Sequence, residues 1–181
     1  VYKPYEAALD HGKSKWLGYW SSPFQVNPQD EDVITYSTPL FGADGKVKAI
    51  FGVEISVNYL YRFLPASDLQ TSDSYGYIIG IRDGAGDIKA AVTHGAMQRR
   101  MLEEGMPLDL VGVDQGNSIY RLLNHKSSGE VYACMNPMGM YYHNTPFEGE
   151  EWFLIGLMEG PDLHQFPEKI GRILSYSFLL S

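Results

Sequence analysis

The side chains best suited to chemistry in this sequence are one carboxylate in an apolar segment and two aromatic residues upstream of it. Glu54 interrupts the apolar stretch at 47–56, and Trp20 and Tyr36 precede it. Burying a carboxylate in an apolar strand costs free energy of folding unless the group is paired or hydrogen-bonded. In one interpretation, strand alternation turns the Glu54 side chain to solvent and avoids this cost. In the other, Trp20 and Tyr36 wall a pocket in which Glu54 supplies the counter-charge for an amine or another cationic ligand.

The remaining reactive side chains show no catalytic or metal-binding pattern. The sequence lacks the Gly-x-Ser-x-Gly elbow of hydrolases and a phosphate-binding glycine loop. Asp83 and Asp87 flank a turn without the further carboxylates that calcium needs. Cys134 has no neighbouring histidine, which predicts a buried, inert thiol. The histidines lack metal-ligand spacing and are expected in turns or at the surface: His11, His94, His125, His143 and His164.

Length and composition narrow the class of protein. The 181 residues suffice for one domain or two small ones. Hydrophobic residues make up 44% and charged residues 20%, which excludes a disordered or fibrous chain. With 14 basic and 22 acidic residues the formal net charge is −8, which argues against a nucleic-acid partner. No apolar run approaches the ~20 residues of a membrane span. Because the sequence begins at Val1 with residues typical of a folded domain and not of a signal peptide, we expect a fragment of a longer protein.

The elements that must position Glu54 and the aromatic residues form a strand–hairpin–strand unit. The segment at 33–40 is β-branched and aromatic, and Asp44-Gly45 supplies the tight turn after it. The return strand at 47–56 is apolar on both faces, which predicts a central strand. Short helices are predicted at 4–9 and 57–64.

A similar unit follows in the second half, after a polar linker at 65–74. The pattern predicts strands at 75–82, 88–93, 129–138 and 151–159, and helices at 97–102, 118–124 and 162–180. The strand at 151–159 is apolar enough to be central. Two loosely similar strand–hairpin–strand–helix units indicate two related α+β modules.

In order and spacing, the motifs of the chain resemble those of double Cache domains, which are PAS-like sensor domains found outside bacterial membranes. Residues 1–8 are similar to the helix opening of the membrane-distal module. Trp-Ser-Ser-Pro-Phe at 20–24 is similar to the Trp-x-x-Pro-aromatic motif of that module. Residues 34–39 and 44–46 are similar to its strand and hairpin turn, and residues 51–56 are similar to its final strand. In the membrane-proximal module, Glu-Glu-Trp-Phe-Leu-Ile-Gly at 150–156 is similar to the last strand.

The resemblance implies an α+β fold of PAS-like Cache modules, each a central antiparallel sheet flanked by helices. It divides the chain into the C-terminal part of a distal module (1–64), a linker (65–74), a proximal module (75–166) and a helix leading towards a membrane span (167–181). The implied ligand contacts are Tyr2, Trp20, Tyr36 and Glu54. Glu54 stands where the family usually has Asp, and the Arg expected before the helix opening either lies before Val1 or does not exist.

The function implied by the resemblance is extracytoplasmic ligand sensing in a bacterial membrane receptor, a histidine kinase or a diguanylate cyclase, with a chemoreceptor as the alternative. The ligand is expected to be an amine, an amino acid or a small carboxylate. The implied receptor is membrane-anchored, can form a homodimer, and carries no catalysis, metal or cofactor in these residues. From other classes of protein, a small α+β enzyme that uses a pocket carboxylate and an aromatic protein-binding module remain open.

Overall fold

The computed structural model describes residues 2–60, 62, 75–94, 102, 106–113, 118–141 and 143–163. These residues form two antiparallel sheets with a few helices, which confirms the predicted α+β class. The first sheet has three strands and the second has six.

The first sheet contains β1 (Tyr19–Trp20), β2 (Val33–Phe41) and β3 (Val47–Ser56), in that order. The hairpin between β2 and β3 turns at Gly45, whose φ of 75° suits a residue without a Cβ. Helix α1 (Tyr2–His11) packs on the sheet, and α2 (Val57–Leu60) follows β3. The prediction that β3 is central is wrong among the described strands: β3 is an edge strand, and its residues 51–54 are exposed.

The second sheet contains β4 (Tyr75–Arg82), β5 (Ile88–His94), β6 (Leu110–Gly112), β7 (Ile119–Leu122), β8 (Val131–Met138) and β9 (Glu151–Glu159). Its order is β5-β4-β9-β8-β7-β6, so the prediction of a central strand at 151–159 is confirmed. The predicted helix at 118–124 is wrong. That segment is β7, because pairing with both β6 and β8 outweighs its weak local helical pattern.

Three apolar clusters hold the chain together. One fills the inner face of the second sheet around Leu122, Val131 and Ile155, which are all fully buried. The other two join the sheets: Ile34 packs with Trp152, and Tyr19 packs with residues of the loop between β8 and β9. We call this loop, residues 139–141 and 143–150, the arm. The two sheets therefore share buried side chains.

Several predictions lie outside the described residues. They are the linker at 65–74, the helix at 97–101, and the C-terminal helix beyond a helical turn at 160–163. The domain boundaries that depend on them therefore stay predictions. Within the described part, no helix is long and apolar enough to cross a membrane.

Candidate functional site

The two faces of the first sheet carry different side chains. Residues that pair directly in an antiparallel sheet point to the same face, and successive residues alternate. The pairs Trp20–Tyr36 and Tyr36–Val53 define one side, which we call the aromatic face. The pairs Tyr19–Ser37, Ser37–Gly52 and Thr35–Glu54 define the other, which we call the carboxylate face. Glu54 therefore lies on the side of the sheet opposite Trp20 and Tyr36.

On the aromatic face, the rings of Trp20 and Tyr36 contact each other with centroids 5.0 Å apart at an angle of 50°. The Tyr36 hydroxyl lies directly over Gly18, where an added Cβ would come within 2.1 Å of the oxygen. Glycine at 18 is thus required for this ring position. Further along β3, Phe51 and Val53 are about half exposed, so this face ends in an open apolar surface.

The carboxylate face carries a buried row of hydroxyl groups beside the exposed carboxylate of Glu54. The Thr35 hydroxyl is hydrogen-bonded to Ser21 Oγ at 3.2 Å. Ser37 is only 3% exposed, and among the described residues its Oγ has no hydrogen-bond partner. Gly52 opposite Ser37 adds no side chain, and even a Cβ there would stay 3.8 Å from Ser37 Cβ. An unpaired buried hydroxyl is unfavourable in the free protein, and a hydrogen bond to it would remove that cost.

Helix α1 and the arm border the carboxylate face. Lys3 of α1 forms an ion pair with Glu150 of the arm, and its Nζ lies 4.9 Å from the centroid of the Tyr19 ring. Burial acts to lower the pKa of Lys3, but hydrogen bonds to Glu150 and Tyr19 and their charges outweigh it, so the pKa is raised. Burial raises the pKa of the Tyr19 phenol. Lys3 therefore stays cationic and Tyr19 neutral at physiological pH.

The residues predicted for the site are only partly brought together. Trp20 and Tyr36 are in contact, Glu54 lies on the opposite face, and Tyr2 begins α1. Ligand binding by these residues stays a prediction. Ser37 was missed, although its alternation with Thr35 in an apolar strand is a signal that could have found it.

Neither a metal site nor a buried thiol appears in the described part of the chain. No group of three or more His, Cys, Asp or Glu residues there could hold a metal ion. Cys134 is exposed, so the prediction of a buried thiol is wrong: in β8 the inward positions belong to its neighbours Ala133 and Met135.

Two of the cavities formed by the described residues lie outside the first sheet. One of about 490 Å³ opens on the outer face of the second sheet and is lined by Tyr75, Tyr77, Tyr132 and Cys134 among others. Another of about 450 Å³ has Ser22, Asp32, Asp83 and Lys89 in its walls. Neither is lined by Trp20, Tyr36 or Glu54.

Comparison with known proteins gives matches in structure alone. No protein-family model matches the sequence, and no curated protein matches it. Among solved structures, the chain is similar to the ligand-binding domain of the Pseudomonas aeruginosa PAO1 amino acid chemoreceptor PctB in complex with L-Arg. The TM-score is 0.53 at 13% identity, over 89% of this chain and 60% of that one.

A second similar structure is the ligand-binding domain of the Pseudomonas aeruginosa PAO1 amino acid chemoreceptor PctC in complex with GABA. It matches with a TM-score of 0.50 at 15% identity, over 86% of this chain and 60% of that one. The chain thus has the fold of these domains, and the matched region spans about 60% of their length.

Proposed function

We propose that this chain is part of an extracytoplasmic ligand-sensing domain of a bacterial membrane receptor and that it performs no catalysis itself. Its fold is that of solved chemoreceptor domains that bind small ligands. The motifs at 20–24, 34–39 and 51–56 occur in the order found in Cache domains. The observation that carries the proposal is the unpaired hydroxyl of Ser37 on the same face as Glu54.

The ligand binds, in this proposal, on the carboxylate face. Ser37 and Glu54 are diagonal neighbours on adjacent strands, so their Cβ atoms are about 7–8 Å apart or somewhat less. A small molecule can span that distance with one polar group on Ser37 and a cationic group on Glu54. Hydrogen bonds to a charged group are about twice as strong as neutral ones, so Glu54 makes the site selective for a cationic group.

The ligand class is an amine or an amino acid. Glu54 provides a negative charge without a salt bridge to any described residue, and a protonated amino group complements it. A small molecule that carries only a carboxylate meets repulsion from Glu54, so such molecules rank below amines. Tyr2, Trp20 and Tyr36 remain proposed contributors. Trp20 and Tyr36 pack against each other on the face of the sheet opposite Ser37. Tyr2 lies at the start of the helix that covers the carboxylate face.

A thermal-shift screen tests this function directly. L-arginine, GABA, the other amino acids and small amines are added to the full chain, together with small carboxylates. We expect a saturable rise in melting temperature with at least one amine-bearing compound. Glu54→Gln is expected to remove this rise. Glu130→Gln, which changes an exposed glutamate before β8, is expected to keep it. Stabilisation that Glu54→Gln leaves unchanged would show that Glu54 does not bind the ligand.

The class of receptor is a separate proposal. The chemoreceptor identity of the similar structures favours a chemoreceptor over the histidine kinase or diguanylate cyclase that the sequence motifs imply. In every case the signal leaves through the segment after β9. The test is to read the gene on both sides of this segment: a coiled-coil signalling region supports a chemoreceptor, and a kinase or cyclase domain supports the other classes.

A further inference from the structure

One hydroxyl group closes the free edge of β1. The Ser21 N–H donates to the Thr35 carbonyl of β2, so the backbone groups of the preceding residue, Trp20, point away from β2. The Tyr141 hydroxyl of the arm meets both groups: it accepts from the Trp20 N–H at 3.3 Å and donates to the Trp20 carbonyl at 3.2 Å. Tyr141 thus takes the place that a neighbouring strand would have.

The Tyr141 ring connects two parts of the molecule. It lies 6.4 Å from the Tyr19 ring, nearly parallel to it, and Tyr19 pairs with Ser37 on the carboxylate face. It also packs in the apolar cluster that contains Trp152 of β9. Burial raises the pKa of Tyr141, so its hydroxyl keeps the proton that it donates to Trp20.

Further contacts fix the arm on the first sheet around Tyr141. The Trp16 N–H donates to the Asn144 carbonyl at 3.2 Å, and the Asn144 side-chain amide donates to the Ser14 carbonyl at 3.3 Å. Phe147 packs against Tyr19 with ring centroids 4.9 Å apart. These contacts attach the arm to β1 and to the segment before it.

We propose that Tyr141 is a positioning residue that couples the carboxylate face of the first sheet to β9 of the second. The proposal rests on the proposed function, because the ligand at Ser37 is what displaces β1. A ligand group that bonds to Ser37 shifts the paired residue Tyr19, and the double hydrogen bond to Trp20 transfers this shift to Tyr141. From there it reaches Trp152 and the segment after β9.

Hydrogen exchange of the full chain tests the coupling element without any ligand. In the wild type, the Trp20 amide is expected to exchange slowly although it lies on a sheet edge. In Tyr141→Phe, which keeps the ring, it is expected to exchange about tenfold faster. Tyr132→Phe is the matched control, since it removes a hydroxyl that bonds to Glu130 on the second sheet and leaves Trp20 untouched. A fast-exchanging Trp20 amide in the wild type, or equal rates in Tyr141→Phe, overturns the proposal.

A second hydrogen-exchange experiment tests whether ligand binding is transmitted through Tyr141. It uses the amine-bearing compound that gives the largest thermal shift. In the wild type, its binding is expected to change exchange both on β2 and at Trp152. In Tyr141→Phe, the change on β2 is expected to persist while the change at Trp152 is lost. A change at Trp152 that survives in Tyr141→Phe overturns the coupling role. A compound panel without any effect on the wild type overturns the proposed function, while the ligand-free exchange experiment still tests Tyr141.

Discussion

At the scale of single residues, the carboxylate face of the first sheet contains a buried polar group that has no hydrogen-bond partner among the described residues. Ser37 is buried with an unpaired hydroxyl, whereas its neighbour Thr35 is bonded to Ser21. Natural proteins leave few buried groups of this kind, and those they leave often serve function. The exposed Glu54 beside it adds a charge that attracts amines.

Ser37→Ala separates stability from binding. Removing an unpaired buried hydroxyl is expected to leave the free energy of unfolding unchanged or raise it by up to about 1 kcal/mol. The same substitution is expected to weaken binding of the amine-bearing ligand, because the ligand loses a hydrogen bond. Urea unfolding and calorimetric titration measure the two effects. A loss of stability would mean that Ser37 has a partner in the free protein.

The sequence predicts Trp20, Tyr36 and Glu54 as candidate ligand contacts but not their arrangement on the sheet, and it does not single out Ser37. Period-two alternation relates Tyr36 to Ile34 and Glu54 to Gly52, because each pair lies within one strand. The relation between Glu54 and Trp20 depends on the register across two strand pairs, and no local pattern encodes it. For this reason the sequence predicts one pocket where the sheet separates Glu54 from the aromatic pair.

At the scale of elements, β3 shows which structural features a local sequence pattern predicts and which it does not. Its β-branched residues and its Asp-Gly turn predict the strand and hairpin correctly. Its apolar residues on both faces predict a central strand, but in the described sheet β3 pairs with β2 alone. Conversely, the residues of β7 carry a weak helical pattern that pairing with β6 and β8 overrides.

Because one edge of β3 is free in the described sheet, the rate of amide hydrogen exchange is expected to alternate along this strand. The Val57 N–H donates to the Asp32 carbonyl, so the odd-numbered residues of β3 point their backbone groups towards β2. The amides of Phe51 and Val53 are therefore expected to exchange slowly, and those of Gly52 and Glu54 rapidly. Residue-resolved hydrogen exchange measures this. Slow exchange along the whole strand would show that another strand covers the edge.

At the scale of the whole molecule, the two sheets are joined through shared apolar clusters. Trp152 of β9 is 2% exposed and packs in the cluster that also contains Ile34 of β2. The arm adds hydrogen bonds and an ion pair from the second sheet to α1 and β1. The proposed coupling from the first sheet to β9 depends on this continuity.

Trp152→Ala tests this continuity. Truncating a buried tryptophan is expected to cost about 3–5 kcal/mol, because it leaves a cavity between the sheets. Since both sheets border that cavity, we expect one unfolding transition in the wild type and a lowered midpoint in the variant. Calorimetry and circular dichroism detect the transitions. Two separate transitions in the wild type would show that the sheets unfold independently.

The central claim is that a small amine-bearing ligand binds to the carboxylate face of the first sheet. The most direct measurement is a two-dimensional NMR titration of the labelled chain with the compound that stabilises it most. The account predicts saturable shifts at Ser37, Gly52 and Glu54, and their loss in Glu54→Gln. Shifts confined to the tyrosine-lined cavity of the second sheet, or to Phe51 and Val53 on the aromatic face, would contradict it.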